Sequence, residues 1–102
     1  MAERDVEARL VRGVRKLGGR CWKWVSPGRA GVPDRIVLLP HGVVAFIELK
    51  DDEGVVSKVQ DLTIREIRDL GHRAYVVRGA AGVDAFLEYA RDTVEFMRRT
   101  MQ

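Results

Sequence analysis

Apolar positions recur along this chain in two rhythms, one helical and one of strand type, and the switches between them outline a fold. Val6, Leu10, Val14 and Leu17 repeat at helical spacing, which predicts a helix over residues 3–17 ended by Gly18-Gly19. Arg20 to Val25 reads as a strand and Ser26-Pro27-Gly28-Arg29-Ala30-Gly31 as a loop. Two β-branched or apolar runs follow, 35–39 and 43–49. Pro40-His41-Gly42 between them suits a three-residue hairpin loop with the glycine left-handed. Asp51-Asp52-Glu53-Gly54 makes an acidic turn, after which Ser57 and Gln60 have the spacing of a capping box. The helix they open carries Val59, Leu62, Ile67 and Leu70 and stops at Gly71. Arg73 to Val77 is a fourth strand, and Val83, Phe86, Leu87, Ala90, Val94, Met97 and Met101 stripe a long terminal helix.

The order αβββαβα puts a helix between the third and fourth strands, so these two should run parallel through a right-handed crossover. The expected fold is therefore α/β, with a mixed four-stranded sheet flanked by helices. Both faces of the hairpin strands carry apolar residues, which calls for helices on both sides. No internal repeat, linker or low-complexity stretch interrupts the chain, and residues 1–102 read as one domain.

The hairpin has a chemical consequence. If Leu39 opposes Val43, then Asp34 lies across from Glu48, and opposed side chains sit about 5 Å apart at Cβ. Lys50, two residues beyond Glu48, points to the same face. A bulge at Gly42 would slip this register by one. Two carboxylates that close resist joint ionisation, and they suit a hard divalent cation. Mg²⁺ in particular binds one or two protein carboxylates together with waters and phosphate oxygens. A neighbouring ammonium can position an attacking water or balance charge on a phosphate. Taken singly, Asp34 or Glu48-Leu49-Lys50 would be an ordinary capping aspartate or ion pair; set opposite one another, they favour catalysis.

This ordered set resembles the PD-(D/E)xK nucleases, and among them most closely the VRR-NUC (virus-type replication-repair nuclease) domain. The resemblance rests on Glu7, Gly31-Val32-Pro33-Asp34-Arg35-Ile36, Phe46-Ile47-Glu48-Leu49-Lys50 and Ser57-Lys58-Val59-Gln60, and spans residues 3 to 80. It implies a restriction-endonuclease-like αβββαβ core with an added C-terminal helix, and a metal-dependent endonuclease acting on DNA. By that resemblance Asp34, Glu48 and the Leu49 carbonyl ligate Mg²⁺, for which Mn²⁺ substitutes. Glu7 becomes a metal or metal-water contact, where its position alone suggests a solvated glutamate at a helix start. Gln60, already explained by the capping box, becomes a neighbour of Lys50 that helps orient water; the two roles look hard to combine. Stand-alone domains of this kind look like homodimers that cut branched DNA, four-way (Holliday) junctions above all. Phe86, Tyr89, Phe96, Met97 and Met101 offer material for such an interface.

Charge and composition narrow the field without adding chemistry. With 18 Lys+Arg against 15 Asp+Glu, the net charge of +3 permits nucleic-acid binding. Lys23, Arg29 and Arg35 lie near the candidate site, and Arg12 belongs to the basic face of the first helix; these four are the candidate phosphate contacts. Trp22 and Trp24 share a strand face and could stack on bases, although packing is the commoner use. His41 and His72 fit no zinc spacing, and no glycine-rich phosphate loop opens a helix. One cysteine, Cys21, cannot form an internal disulfide, which favours a reducing compartment. No run is long and apolar enough for a membrane span, and the expected location is the cytoplasm, that of a host if the protein is viral. Two alternatives stay open: a nuclease of other DNA specificity, and a non-catalytic DNA-binding or assembly module on the same fold.

Overall fold

A computed structural model describes residues 2–101 of the chain. The elements run α1 (Glu3–Lys16), β1 (Arg20–Lys23), β2 (Arg35–Leu39), β3 (Val43–Lys50), α2 (Lys58–Asp69), β4 (Arg73–Arg78) and α3 (Gly79–Thr100), with a short 3-10 turn over Pro40–Gly42. The sheet order is β1-β2-β3-β4; the first three strands are antiparallel and β4 is parallel to β3. The mixed α/β sheet is therefore the expected one. So is the hairpin register: Leu39 pairs with Val43 and Arg35 with Ile47, with no slip at the turn. The turn is tighter than anticipated, since His41 as well as Gly42 takes a positive φ.

The pleat assigns the two faces different work. Odd-numbered residues Val37, Leu39, Val43, Ala45, Ile47, Leu49 and Val77 point to one side, where Val6, Leu10 and Val14 of α1 meet Val83, Phe86 and Ala90 of α3 in the core. Gly13 lets those two helices approach, because a Cβ there would collide with the Leu87 side chain. Burying one such core leucine is worth about 1.5–3 kcal/mol, so this face carries most of the stability.

The opposite face departs from expectation. Helix α2 packs chiefly on β4 and does not extend across β1 and β2, so Ile36, Leu38, Val44 and Phe46 remain half-buried. Trp22 is largely exposed there, while Trp24 leans on Phe46 at 5.3 Å between ring centroids. The inward side of α2 also differs. Val59 and Leu62 are about half exposed, at 49% and 56%, and Leu70 is exposed too; Thr63 and Ile64 are the buried residues. Two contacts rotate the helix this way. Gln60 turns toward β3, and the backbone at Val59 abuts Gly31, where a Cβ would fall 2.8 Å from the Val59 carbonyl carbon and oxygen. Strand β1 ends at Lys23 instead of Val25, although Trp24 N–H still donates to the Asp34 carbonyl at 2.8 Å.

Candidate active site

Asp34 and Glu48 meet where the chain enters β2 and leaves β3. Pro33 is buried immediately before Asp34, and the Leu49 N–H donates to Asp34 Oδ2 at 2.8 Å, which pins the carboxylate against the end of β3. Glu48 is the most buried charged side chain of the described residues, at 1% exposure. Its Oε2 accepts from Gln60 Nε2 at 2.9 Å and lies 3.2 Å from Lys50 Nζ. Its Oε1 is buried and has no hydrogen-bond partner. Burial first, and then the Asp34 charge, push the Glu48 carboxyl above the usual carboxylate range, with Lys50 working against them.

A buried carboxylate oxygen without a donor is costly, and native structures leave few such atoms. A proton, a water or a cation would satisfy it. The two carboxylates, Asp34 and Glu48, offer oxygen ligands, a chemistry that fits a hard divalent ion. Among the described residues no three His, Cys, Asp or Glu side chains converge on one point, so protein carboxylates alone would not complete a coordination shell.

Gln60 joins helix start and site in one side chain. Ser57 Oγ accepts from the Gln60 N–H at 3.1 Å and Gln60 Oε1 accepts from the Ser57 N–H at 3.0 Å, which closes the capping box. The amide nitrogen remains free to hold Glu48. The capping and site positions, which looked hard to combine from sequence, coexist because a glutamine amide has a separate donor and acceptor.

Glu7 borders Asp34 from the side of α1. It lines a cavity of about 320 Å³ with Glu3, Lys23, Trp24, Val25, Asp34 and Leu49, yet its carboxylate is paired with the Arg35 guanidinium. Arg35 therefore does not belong to a phosphate-contacting surface: its side chain is 11% exposed, and it also donates to the Cys21 carbonyl at 3.3 Å. The reason is the pleat, since Arg35 shares the parity of Val37 and Leu39 and points under α1. That parity was the available signal in the sequence. Arg29 remains exposed, but its guanidinium bonds Glu66 at 2.9 Å and Thr63 at 3.2 Å, fastening the 26–31 loop to α2. Lys23 is exposed at the rim of the Asp34 cavity. Arg12 lines a separate groove between α1 and α3. Composition did not signal the contact behind Lys50, where Arg78 donates to the Gly54 carbonyl and so ties the acidic turn to β4.

Comparisons with known proteins agree with this geometry. Residues 4–81 match the family model described as the VRR-NUC domain. The chain is 43% identical over 75 residues to "Putative nuclease p44" of Acyrthosiphon pisum secondary endosymbiont phage 1, covering 74% of this chain and 81% of that protein. A solved structure described as "VRR_NUC domain" superimposes with a TM-score of 0.80 at 32% identity, covering 84% of this chain and 94% of the other. With the hairpin, the crossover and the ordered Asp34, Glu48, Lys50 and Gln60 in place, the chain belongs to the VRR-NUC family of nuclease domains.

Proposed function

We propose that this domain is a divalent-metal-dependent endonuclease that hydrolyses DNA phosphodiester bonds. The observation that carries the reading is Glu48 Oε1, a buried acceptor without a donor, on a carboxyl close enough to Asp34 to feel its charge. Asp34 and Glu48 hold the ion, with the Leu49 carbonyl as a further ligand, and Mg²⁺ or Mn²⁺ fits these oxygen donors. Such an ion, when bound, acidifies a water and balances charge on the scissile phosphate. Lys50, anchored 3.2 Å from Glu48 Oε2, has N–H groups left over to orient that water for in-line attack. Gln60 holds Glu48 in its rotamer by the bond to Oε2. Lys23 sits at the cavity rim as the first phosphate contact.

The preferred DNA is branched, four-way junctions above all, and the working form is a homodimer. No described element stands apart from the sheet and its helices to read a base sequence, which supports selection by DNA shape. Paired cuts in a junction need two equivalent sites, which a two-fold dimer supplies. Phe96 and Met101, both exposed on the last turns of the chain, offer apolar surface for it. Tyr89 is partly committed already, its hydroxyl bonded to Tyr75 at 3.1 Å.

The test is cleavage of labelled linear duplex, fork and four-way junction by the purified protein in Mg²⁺, Mn²⁺ or EDTA, alongside its mass by light scattering. The junction should be cut fastest in either cation and nothing cut in EDTA, by a species of dimer mass. Undiminished cutting in EDTA overturns the metal reading. Equal rates on linear and branched DNA from a monomer overturn the substrate reading.

A further inference from the structure

Half of one sheet face has no helix over it, and it is the face that carries Asp34 and Glu48. Strand register orders this face in rows. Trp22 pairs with Ile36 and Ile36 with Phe46, while Arg20 pairs with Leu38 and Leu38 with Val44. The same register, carried one row further, sets Trp24 beside Asp34 and Asp34 beside Glu48, and the Trp24 N–H donates to the Asp34 carbonyl. Alternate residues of a strand share a face, so these three rows stand about 7 Å apart on one surface. Helix α2 sits on β4 and leaves Trp22 57% exposed. Trp24 and His72 both pack on Phe46, with ring centroids 5.3 and 6.3 Å away. The rows of Trp22 and Arg20 hold no acidic side chain, and Arg20 and Lys23, both exposed, flank Trp22 on β1.

Resting on the reading of this domain as a DNA nuclease, we propose that the uncovered face binds unpaired nucleobases of the substrate, with Trp22 as the stacking platform. An open apolar face usually meets another protein. Here the row of Trp22 is about 7 Å from the row of Asp34 and Glu48, so a protein seated on it would close those carboxylates to a phosphodiester backbone. The occupant is therefore the DNA. A paired duplex turns phosphates and sugars outward and keeps its ring faces stacked inside, which leaves nothing to match an indole. Unpaired bases expose those ring faces, and aromatic side chains on an open four-stranded sheet stack them. Arg20 and Lys23 supply positive charge for the backbone between the bases. A branch point, where strands part, offers unpaired bases next to a phosphate; a linear duplex does not. Trp22 thus binds the opened strand and favours such DNA over a closed duplex.

Fluorescence anisotropy with a labelled single strand of thymidines, in EDTA, reads this binding without metal or cleavage. The unaltered protein should bind the strand with quenching of its tryptophan emission, which comes from Trp22 and Trp24 alone. An abasic strand of equal length and charge should bind about fivefold more weakly or worse, and Trp22→Ala should weaken thymidine binding by a similar factor. Trp22→Phe keeps a ring face and should stay within about twofold of the unaltered protein. Equal affinity for abasic and thymidine strands overturns the proposal. So does a Trp22→Ala with native circular dichroism and unchanged affinity; if its light-scattering mass falls from dimer to monomer at the same time, the face joins two copies instead. Cleavage separates this inference from the reading beneath it. A protein that binds thymidines through Trp22 but cuts no DNA in Mg²⁺ or Mn²⁺ sinks the nuclease reading and keeps the base-binding face. One that cuts branched DNA yet does not distinguish the two strands sinks the inference alone.

Discussion

The two faces of the sheet handle buried charge in opposite ways. On the helix-covered face Glu7 and Arg35 neutralise each other between α1 and β2, and the pair behaves as part of the packing. On the other face Glu48 receives Lys50 and Gln60 at one oxygen and nothing at the other. Both glutamates share one strand-end neighbourhood with Asp34. A closed ion pair stabilises or merely breaks even, whereas an acceptor left open holds free energy available for a ligand. The difference separates architecture from chemistry within a few residues.

That contrast can be broken first at the chemistry. Asp34→Ala or Glu48→Ala should lower the cleavage rate by about 10²–10³-fold or more while leaving the far-ultraviolet circular dichroism native, since neither side chain belongs to the core cluster. Lys50→Ala should lose cleavage to a similar degree yet retain Mn²⁺ affinity in calorimetry; loss of binding as complete as in Glu48→Ala would erase the distinction between ligand and water-orienting group.

Next in size is the covered face. Leu10 is fully buried between α1, α3 and the sheet, so Leu10→Ala should cost about 2–5 kcal/mol in chemical denaturation. A loss under 1 kcal/mol would mean that the core does not sit where the packing puts it.

A smaller effect of opposite sign belongs to Glu48. Burial and Asp34 raise its pKa, so its ionised form costs stability at neutral pH in the metal-free protein. Glu48→Gln keeps the shape and removes the charge, and should raise the metal-free denaturation midpoint by an amount worth about 1 kcal/mol. A lowered midpoint in EDTA would show the open acceptor to be no burden.

The smallest change is a reactivity. Burial raises the Cys21 thiol to about 11 from an ordinary value of 9.0. A raised pKa favours the neutral thiol in the folded state, so this contribution is intact below pH 9 and fades as the pH climbs toward 11. Native protein at pH 8 should resist iodoacetamide for hours and react promptly in denaturant; rapid native alkylation would contradict the enclosed position of β1.

Much of this contrast was legible in the residues alone. Strand pleating and the short Pro40-His41-Gly42 connection set the hairpin register, and the register places Asp34 beside Glu48. The crossover followed from a helix lying between two strands, and the capping box from Ser57 and Gln60. What escaped was orientation. Helix α2 carries two stripes that overlap at Ile67, Val59/Leu62/Ile67/Leu70 and Gln60/Thr63/Ile64/Ile67, and periodicity favours the greasier one. A single polar contact from Gln60 to Glu48 and the close approach at Gly31 turn the other inward. Arg35 was read for its charge, although its place in the alternation already put it under α1.

Gln60 has a further consequence, for when the site comes into being. Its side chain closes the first turn of α2 and holds Glu48 in the same conformation, so nucleating the helix and setting the carboxylate rotamer are one event. Helix nucleation is the improbable step in helix formation, and here it is completed against a strand twelve residues upstream. A nascent chain that has released Asp34, Glu48 and Lys50 but not residues 57–60 would carry every acid of the site in an unset arrangement. On the proposed chemistry, hydrolytic competence is tied to the docking of α2, and a partly made copy would be inactive.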